Sequence, residues 1–202
     1  AIVEKLAGMS ITVEAADILT PPVAAAEWLA ANSKGPVALF IAPATVEEFA
    51  ALELATPDDT KASAVVVGDY GDRWTFAELN RAFRLLMNEP RPQLIALGMT
   101  RYWQAEDGLR LDTRPFVTAL SSASGIEPVV LGKPAQPFFD TALARRGVSA
   151  GETLMNGDDI QGDGVNLAAE TRRSEGERVG AEVQIIHREP DASPNARCLV
   201  RE

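Results

Sequence analysis

The segment Pro128-Val129-Val130-Leu131-Gly132-Lys133-Pro134 is a short apolar run that ends in a glycine and a lysine. A helix is predicted to follow it over residues 136–146, with Gly147 at the position just after the helix. A second short run, Thr153-Leu154-Met155, then leads into Gly157-Asp158-Asp159. Strand, helix and strand in this order are typical of an α/β fold.

The same alternation of apolar runs and amphipathic stretches continues towards the amino terminus. Further strands are predicted at residues 37–41, 64–67 and 94–97. Helices are predicted to begin at Thr20-Pro21, at Thr45 with Glu48, at Thr75 with Glu78 and at Pro115, the last of them ending near Gly125. Between the third of these strands and the last of these helices, Arg101-Tyr102-Trp103 and Asp107-Gly108 indicate a hairpin or a loop with a turn. This alternation favours an α/β architecture over an all-α or an all-β one.

The strongest candidate for a functional site combines Lys133 with Asp158, Asp159 and Asp163. Ligands of open α/β sheets bind at the carboxyl ends of the strands, and both groups directly follow predicted strands. Clustered carboxylates bind Mg²⁺, and a lysine at a neighbouring strand end would neutralise phosphate charge. A simpler interpretation stays open, in which Gly157-Asp158-Asp159 is a polar turn and Lys133 is a solvated surface lysine.

Composition and charge narrow the classes of function. The chain has 202 residues with 46% hydrophobic and 24% charged residues, as expected of an ordinary globular protein. Its formal net charge of −10 argues against nucleic acid and anionic membranes as partners. The single Cys198 excludes an internal disulfide, and the single His187 argues against multi-histidine metal centres. No apolar run approaches the ~18 residues that a membrane span needs. A cytoplasmic location is predicted for the chain.

Several motifs resemble those of one known family. Val130-Leu131-Gly132-Lys133-Pro134 with Phe138-Phe139, and Met155-Asn156-Gly157-Asp158-Asp159 with Asp163, resemble the third and fourth motifs of the haloacid dehalogenase (HAD) superfamily of phosphohydrolases. The central stretches are similar to subfamily IIA of that superfamily; they are residues 79–87, 94–97, 101–103, 107–109 and 115–120. The resemblance covers residues 1–163.

The resemblance implies a Rossmann-like core with a large α/β cap. Residues 1–17 would be a core helix leading into the cap, residues 18–122 the cap, and residues 123–202 the carboxyl-terminal half of an apparently incomplete core. In that arrangement Lys133 would contact the phosphoryl group and the nucleophile. Asp158 would be the principal Mg²⁺ ligand, and Asp159 and Asp163 would support the metal shell or its loop.

The implied activity is Mg²⁺-dependent hydrolysis of a small phosphorylated metabolite. The loop at Arg101 and Tyr102 would then be part of the cap surface that recognises the substrate. Trp103 beside it is interpreted as a packing residue, with ligand contact as the alternative.

The sequence also departs from the family pattern. Family catalysis begins with an Asp-x-Asp pair, and this chain contains none. The second motif is missing too, because the chain begins just after the position expected for it. Asp69 and Asp72 follow the strand at 64–67 and mimic the missing motif locally, but we interpret them as part of a structural loop of the cap.

An alternative function therefore stays open: a truncated or diverged relative that binds or oligomerises without catalysing the covalent step. Half a Rossmann core would leave an unpaired sheet edge and exposed apolar faces, so a homo-oligomer is expected.

Overall fold

The computed structural model describes residues 2–153. It contains six strands: β1 (Val37–Phe40), β2 (Ala64–Val67), β3 (Gln93–Ala96), β4 (Tyr102–Ala105), β5 (Gly108–Leu111) and β6 (Val129–Val130). Strands β1, β2, β3 and β6 form one sheet in that spatial order, and every neighbouring pair is parallel. Strands β4 and β5 form a separate antiparallel hairpin, as the turn at Asp107-Gly108 predicts.

Five α-helices connect or flank the strands: α1 (Ile2–Ala7), α2 (Pro21–Asn32), α3 (Phe76–Leu86), α4 (Thr113–Ser124) and α5 (Gln136–Arg146). Short 3-10 helices lie at Ala15–Asp17, Pro43–Phe49, Gly71–Arg73 and Ala150–Glu152. Helix α2 begins where predicted, because the Thr20 hydroxyl accepts a hydrogen bond from the Val23 amide at 3.5 Å. The Thr75 hydroxyl caps α3 in the same way, accepting from the Glu78 amide at 3.2 Å.

Helices cover both faces of the four-stranded sheet. Val65 and Val67 of β2 point to the face that packs against α3 and α4, while Ala64 and Val66 point to the face that packs against α2. All four β2 side chains are fully buried. A strand buried on both faces reads as a continuous apolar run, which is why residues 64–67 were recognisable in the sequence. The structure confirms the α/β fold class.

The polypeptide divides into two compact units, with the boundary after Gly132. The first unit contains the whole four-stranded sheet, including β6, which pairs with β3 through Ile95 and Val129. In the second unit the described part is α5 and the turn after it, and α5 ends at Gly147 as predicted. The assignment of residues 1–17, 18–122 and 123–202 to core helix, cap and half-core remains a prediction.

The prediction of a capping box at Thr45 and Glu48 is wrong. The 3-10 helix there begins at Pro43, two residues before Thr45, because proline at the first helical position already has the required φ. The Thr45 hydroxyl donates backwards to the Ala42 carbonyl at 2.7 Å and caps no helix.

Two other helix predictions need correction. Helix α4 begins at Thr113, before the predicted Pro115, because Asp112 caps its first turn. The helix expected within residues 1–17 is limited to α1 and the short 3-10 turn at Ala15–Asp17. Among residues 2–153, no helix has the length and apolar character needed to cross a bilayer.

Candidate functional site

The carboxyl ends of the four parallel strands lie level with one another. Phe40 pairs with Val67, Val67 with Ala96, and Ala96 with Val130, so the last residues of β1, β2, β3 and β6 occupy one row across the sheet. The segments that follow these strands therefore leave the sheet side by side. This edge, called the carboxyl edge below, is where open α/β sheets place their ligands.

Two glycines allow the chain to pass closely at this edge. A Cβ on Gly68, just after β2, would lie 2.9 Å from Cδ1 of Leu97 and 3.2 Å from Cγ2 of Ile41. A Cβ on Gly132, after β6, would collide with the carbonyl oxygen of Leu97. Gly132 is thus required by the path of the backbone, which explains the glycine before the predicted phosphate-binding lysine.

Lys133 follows Gly132 and is exposed. It is the first residue of the second compact unit. Asp158, Asp159 and Asp163 lie outside the described residues, as do Leu154 and Met155 of the strand predicted before them. Within residues 2–153 there is no group of three or more His, Cys, Asp or Glu side chains that could hold a metal ion.

Arg101 and Tyr102 lie at the start of the β4–β5 hairpin, and both are exposed. The Arg101 guanidinium lies 5.6 Å from the centre of the Tyr102 ring, a cation–π contact. The hairpin thus presents a cation and an aromatic ring together to solvent; their role in substrate recognition stays a prediction.

Two open cavities lie at the carboxyl edge and share Asp69 as a lining residue. The smaller one, of about 250 Å³, is surrounded by the start of α2, the ends of β1 and β3, and the start of α4. Its polar lining residues are Thr45, Asp69, Thr100, Asp112 and Thr113. The carboxylate of Asp112 accepts hydrogen bonds from both the amide and the hydroxyl of Thr113, at 2.6 and 3.0 Å, and is thereby fixed.

The larger cavity, of about 710 Å³, lies between the hairpin and the segment after β2, and is called the hairpin cavity below. It is lined by Asp69, Gly71, Asp72, Trp74, Trp103, Asp107, Arg110, Leu111 and Phe116. Trp103 is 45% exposed and is available to a bound molecule. The cavity therefore combines aromatic surface with carboxylates and one guanidinium.

Trp74 forms the rigid wall of the hairpin cavity. Its indole is stacked between the rings of Phe40 and Phe116, with centroid distances of 5.5 and 4.8 Å and interplanar angles of 5° and 14°. Tyr70 packs edge-on against it at 5.1 Å. Nε1 of Trp74 is buried and has no hydrogen-bond partner in the described part of the chain. Because both faces are covered, Trp74 is a packing residue.

Arg110 links the hairpin to the segment after β2. Its Nε and Nη2 donate to the two carboxylate oxygens of Asp107 at 3.0 and 2.6 Å, and its Nη1 lies 3.5 Å from Oδ2 of Asp72. These hydrogen bonds from Arg110 hold the pKa of the Asp107 carboxyl below its usual range. In turn, the hydrogen bond with Asp107 raises the pKa of the Arg110 guanidinium.

Sequence reasoning missed this network. The spacing of Asp107 and Arg110 around a tight turn was the sequence signal available for the contact between these two residues. The contact with Asp72 joins residues that are far apart in sequence, and no local pattern indicates it.

A parallel sheet of level strands, with helices on both faces and cavities at its carboxyl ends, defines an open α/β domain of the kind that binds ligands at that edge. Comparison with known proteins identifies its relatives. No family model matches the chain. It is 35% identical over 162 residues to human phospholysine phosphohistidine inorganic pyrophosphate phosphatase, covering 80% of this chain and 58% of that protein. It is 33% identical over 162 residues to bovine haloacid dehalogenase-like hydrolase domain-containing protein 2, covering 80% of this chain and 60% of that protein.

A solved structure agrees with these relatives. The p-nitrophenyl phosphatase from Archaeoglobus fulgidus superposes with a TM-score of 0.72 at 27% identity, covering 84% of this chain and 64% of that chain. The chain is therefore a homologue of the haloacid dehalogenase superfamily phosphatases, which confirms the resemblance seen in its motifs. It spans about six tenths of the length of these relatives.

Proposed function

We propose that this chain forms part of a HAD-type phosphohydrolase that releases phosphate from a small phosphorylated substrate. The observation that carries the proposal is the level carboxyl edge, where Gly132 lets β6 end against Leu97 and Lys133 follows directly. Homology to named phosphatases supports the same reaction class.

Lys133 would bind the phosphoryl group. An ammonium group is a compact cation that offsets phosphate charge in the ground state and the charge that develops in the transition state. Holding the phosphate at a fixed strand end also orients it, and positioning supplies much of the rate enhancement in phosphoryl transfer.

Mg²⁺ is proposed as the cofactor. Asp158 would be its principal ligand, with Asp159 and Asp163 in support, and three carboxylates within six residues are the hard oxygen donors that this cation prefers. When bound, the cation would neutralise negative charge on the phosphate.

Substrate recognition is assigned to the β4–β5 hairpin. Trp103 lines the hairpin cavity, and the exposed pair of Arg101 and Tyr102 lies at the start of the same strand. Trp103 offers a ring face to an organic group of a substrate, and Arg101 offers a cation to an anionic group. Arg110 is already paired with Asp107 and Asp72, so it fixes the cavity wall.

A second candidate function follows from one sequence feature. The chain contains no Asp-x-Asp pair, the group that starts catalysis in this superfamily. A diverged relative could keep the phosphate site and bind phosphorylated molecules without hydrolysing them. Under this candidate the same lysine and carboxylates bind ligand, but no phosphate is released.

A homo-oligomer and a cytoplasmic location are also proposed. The β4–β5 hairpin exposes three large apolar side chains, with Tyr102 at 50%, Leu109 at 68% and Leu111 at 64%. An apolar surface of this kind is commonly covered by another protein surface, and we assign it to a second copy of this chain. Light scattering should then give twice the monomer mass, and Leu109→Asp should restore the monomer; a monomeric native chain contradicts this assignment.

The experiment that tests hydrolysis measures phosphate release from p-nitrophenyl phosphate with and without Mg²⁺. Lys133→Ala and Asp158→Asn are each expected to lower the rate by about a hundredfold or more, the usual cost of removing one group that stabilises a phosphoryl or oxyanion charge. Lys5→Gln is the matched control, since Lys5 is an exposed cation of α1, and its rate should equal that of the native chain.

Two outcomes separate the candidates. Phosphate release that disappears in Lys133→Ala supports the hydrolase. A native chain that shows no turnover yet binds inorganic phosphate in the presence of Mg²⁺, with the binding lost in Lys133→Ala, supports the non-catalytic relative.

A further inference from the structure

A third pocket lies at the opposite edge of the sheet, where β1, β2 and β3 begin. It is called the amino-edge pocket and has a volume of about 390 Å³. Its walls come from the three segments that lead into these strands, residues 32–36, 61–63 and 88–93. Neither the proposed phosphatase chemistry nor the recognition hairpin uses this region.

The amino-edge pocket is basic in an acidic protein. Lys34, Lys61 and Arg91 line it together with a single carboxylate, Glu89, which gives it a formal charge of +2. The whole chain carries −10. Within residues 2–153, neither Lys34 nor Lys61 forms a salt bridge, so their charges are available to an anion.

Arg91 is held in place by the protein. Its Nη1 donates to the Ser124 carbonyl at 2.6 Å, and its Nε lies 3.7 Å from Oε1 of Glu89. Each of the three segments thus contributes one cation, and the one from the third segment is already oriented.

Hydrogen bonds join the three segments to one another. The Ser33 hydroxyl donates to Oγ of Ser63 at 2.9 Å, and the Ser63 hydroxyl lies 3.0 Å from the Pro36 carbonyl. The Gln93 amide donates to the Ser63 carbonyl at 3.0 Å. The Asn88 side chain donates to the Thr60 carbonyl at 2.7 Å. Because these bonds exist before any ligand arrives, little ordering free energy has to be spent when one binds.

We propose that the amino-edge pocket binds a small phosphate ester. Lys34, Lys61 and Arg91 bind the phosphate oxygens. The site lies at the other end of the strands from the carboxyl edge. It binds its ligand and does not hydrolyse it. It therefore holds a ligand whether or not the proposed phosphatase activity is present.

The test is an NMR titration of the ¹⁵N-labelled chain with glycerol 3-phosphate in the absence of divalent metal. Saturable shifts are expected for the amides of Lys61, Ser63, Arg91 and Gln93. The amides of Gly68 and Gly98 report on the carboxyl edge and separate the two sites. Glycerol, which lacks the charge, should cause no shifts.

Two variants locate the binding. The double variant Lys34→Gln/Lys61→Gln should weaken binding at the amino-edge pocket by about tenfold or more, the loss expected for charge-assisted hydrogen bonds. Lys5→Gln, which removes one exposed cation elsewhere, should bind like the native chain, and unchanged signals outside the pocket show that the variants are folded.

Three results would overturn the proposal. They are an unchanged affinity in the double variant, shifts confined to the carboxyl edge, and shifts that rise linearly without saturation.

Discussion

The two edges of the four-stranded sheet carry opposite charge. The cavities at the carboxyl edge are lined by Asp69, Asp72, Asp107 and Asp112 against Arg110 alone, whereas the amino-edge pocket is lined by Lys34, Lys61 and Arg91 against Glu89 alone. An acidic edge binds a phosphate only with the help of added cations, as in the proposed site with Lys133 and Mg²⁺. A basic edge attracts the same anion directly. One sheet therefore offers two different ways to bind a phosphate.

The largest expected effect concerns the wall of the carboxyl edge. Trp74→Ala removes the ring between Phe40 and Phe116 and should lower the free energy of unfolding by about 3 kcal/mol, near the low end of the range for large aromatic truncations. Trp103→Ala is the control, since Trp103 lines the same cavity but is half exposed, and it should cost less than about 1 kcal/mol. Urea unfolding measures both.

Equal losses in Trp74→Ala and Trp103→Ala would show that the stacked ring has no special part in the fold. The amides of the amino-edge pocket should keep their chemical shifts in both variants, because that pocket lies at the other end of the strands.

A smaller effect is expected where β6 ends. Gly132→Ala places a methyl group against the Leu97 carbonyl, and the backbone shift needed to relieve the collision should cost about 1–3 kcal/mol. Gly98→Ala is the matched control at the same edge, because a Cβ there would meet no atom within 4 Å. Thermal unfolding compares the two, and a Gly132→Ala variant as stable as Gly98→Ala would contradict the close approach.

Removing one hydroxyl group should loosen the hydrogen-bonded segments at the amino edge. Ser63→Ala removes the hydrogen bond that Oγ of Ser63 accepts from the Ser33 hydroxyl and the one that it donates to the Pro36 carbonyl. The free energy of unfolding should fall by about 1 kcal/mol. Glycerol 3-phosphate should bind this variant more weakly, although every cation is still present. Unchanged affinity would mean that the cations alone define the pocket.

The smallest effect is a shift in titration. Arg110→Gln should raise the pKa of Asp107 towards its ordinary value of 3.8, because the hydrogen bonds that stabilise the carboxylate are gone. In the native chain this pKa is lower in the folded than in the unfolded state. The contribution of Asp107 to stability is therefore present above pH 3.8 and is lost as the pH falls through the folded-state pKa.

Carbon-13 NMR of the Asp107 carboxyl measures this pKa in both chains. An identical value in the native chain and in Arg110→Gln would show that the guanidinium does not hold the carboxylate in solution.

Much of the fold could be predicted from local sequence. Residues 64–67 are a continuous apolar run because both faces of β2 are covered, and Thr20 and Thr75 precede their helices as hydroxyl caps. The same reasoning failed at Thr45, where a capping pattern lies inside a turn that Pro43 has already started. A local pattern indicates which residues can cap, but the preceding backbone decides where the helix begins.

The candidate sites were less predictable for a different reason. Lys133 could be placed because it follows a strand directly. The contact of Arg110 with Asp72, and the meeting of Lys34, Lys61 and Arg91, depend on the parallel register of β1, β2 and β3, which brings together segments far apart in sequence. Register is a property of the folded sheet, and a single sequence does not specify it locally.

The stacked indole of Trp74 also has an optical consequence. An indole that is packed between two phenyl rings, and whose N–H has no hydrogen-bond partner within residues 2–153, emits at shorter wavelength than one in water. Trp103 on the hairpin is half exposed and emits more like a solvated indole. The same cavity thus contains one fluorophore that reports whether its wall is intact and another that a bound molecule can quench. Ligand binding at the carboxyl edge can then be followed by fluorescence without attaching a label.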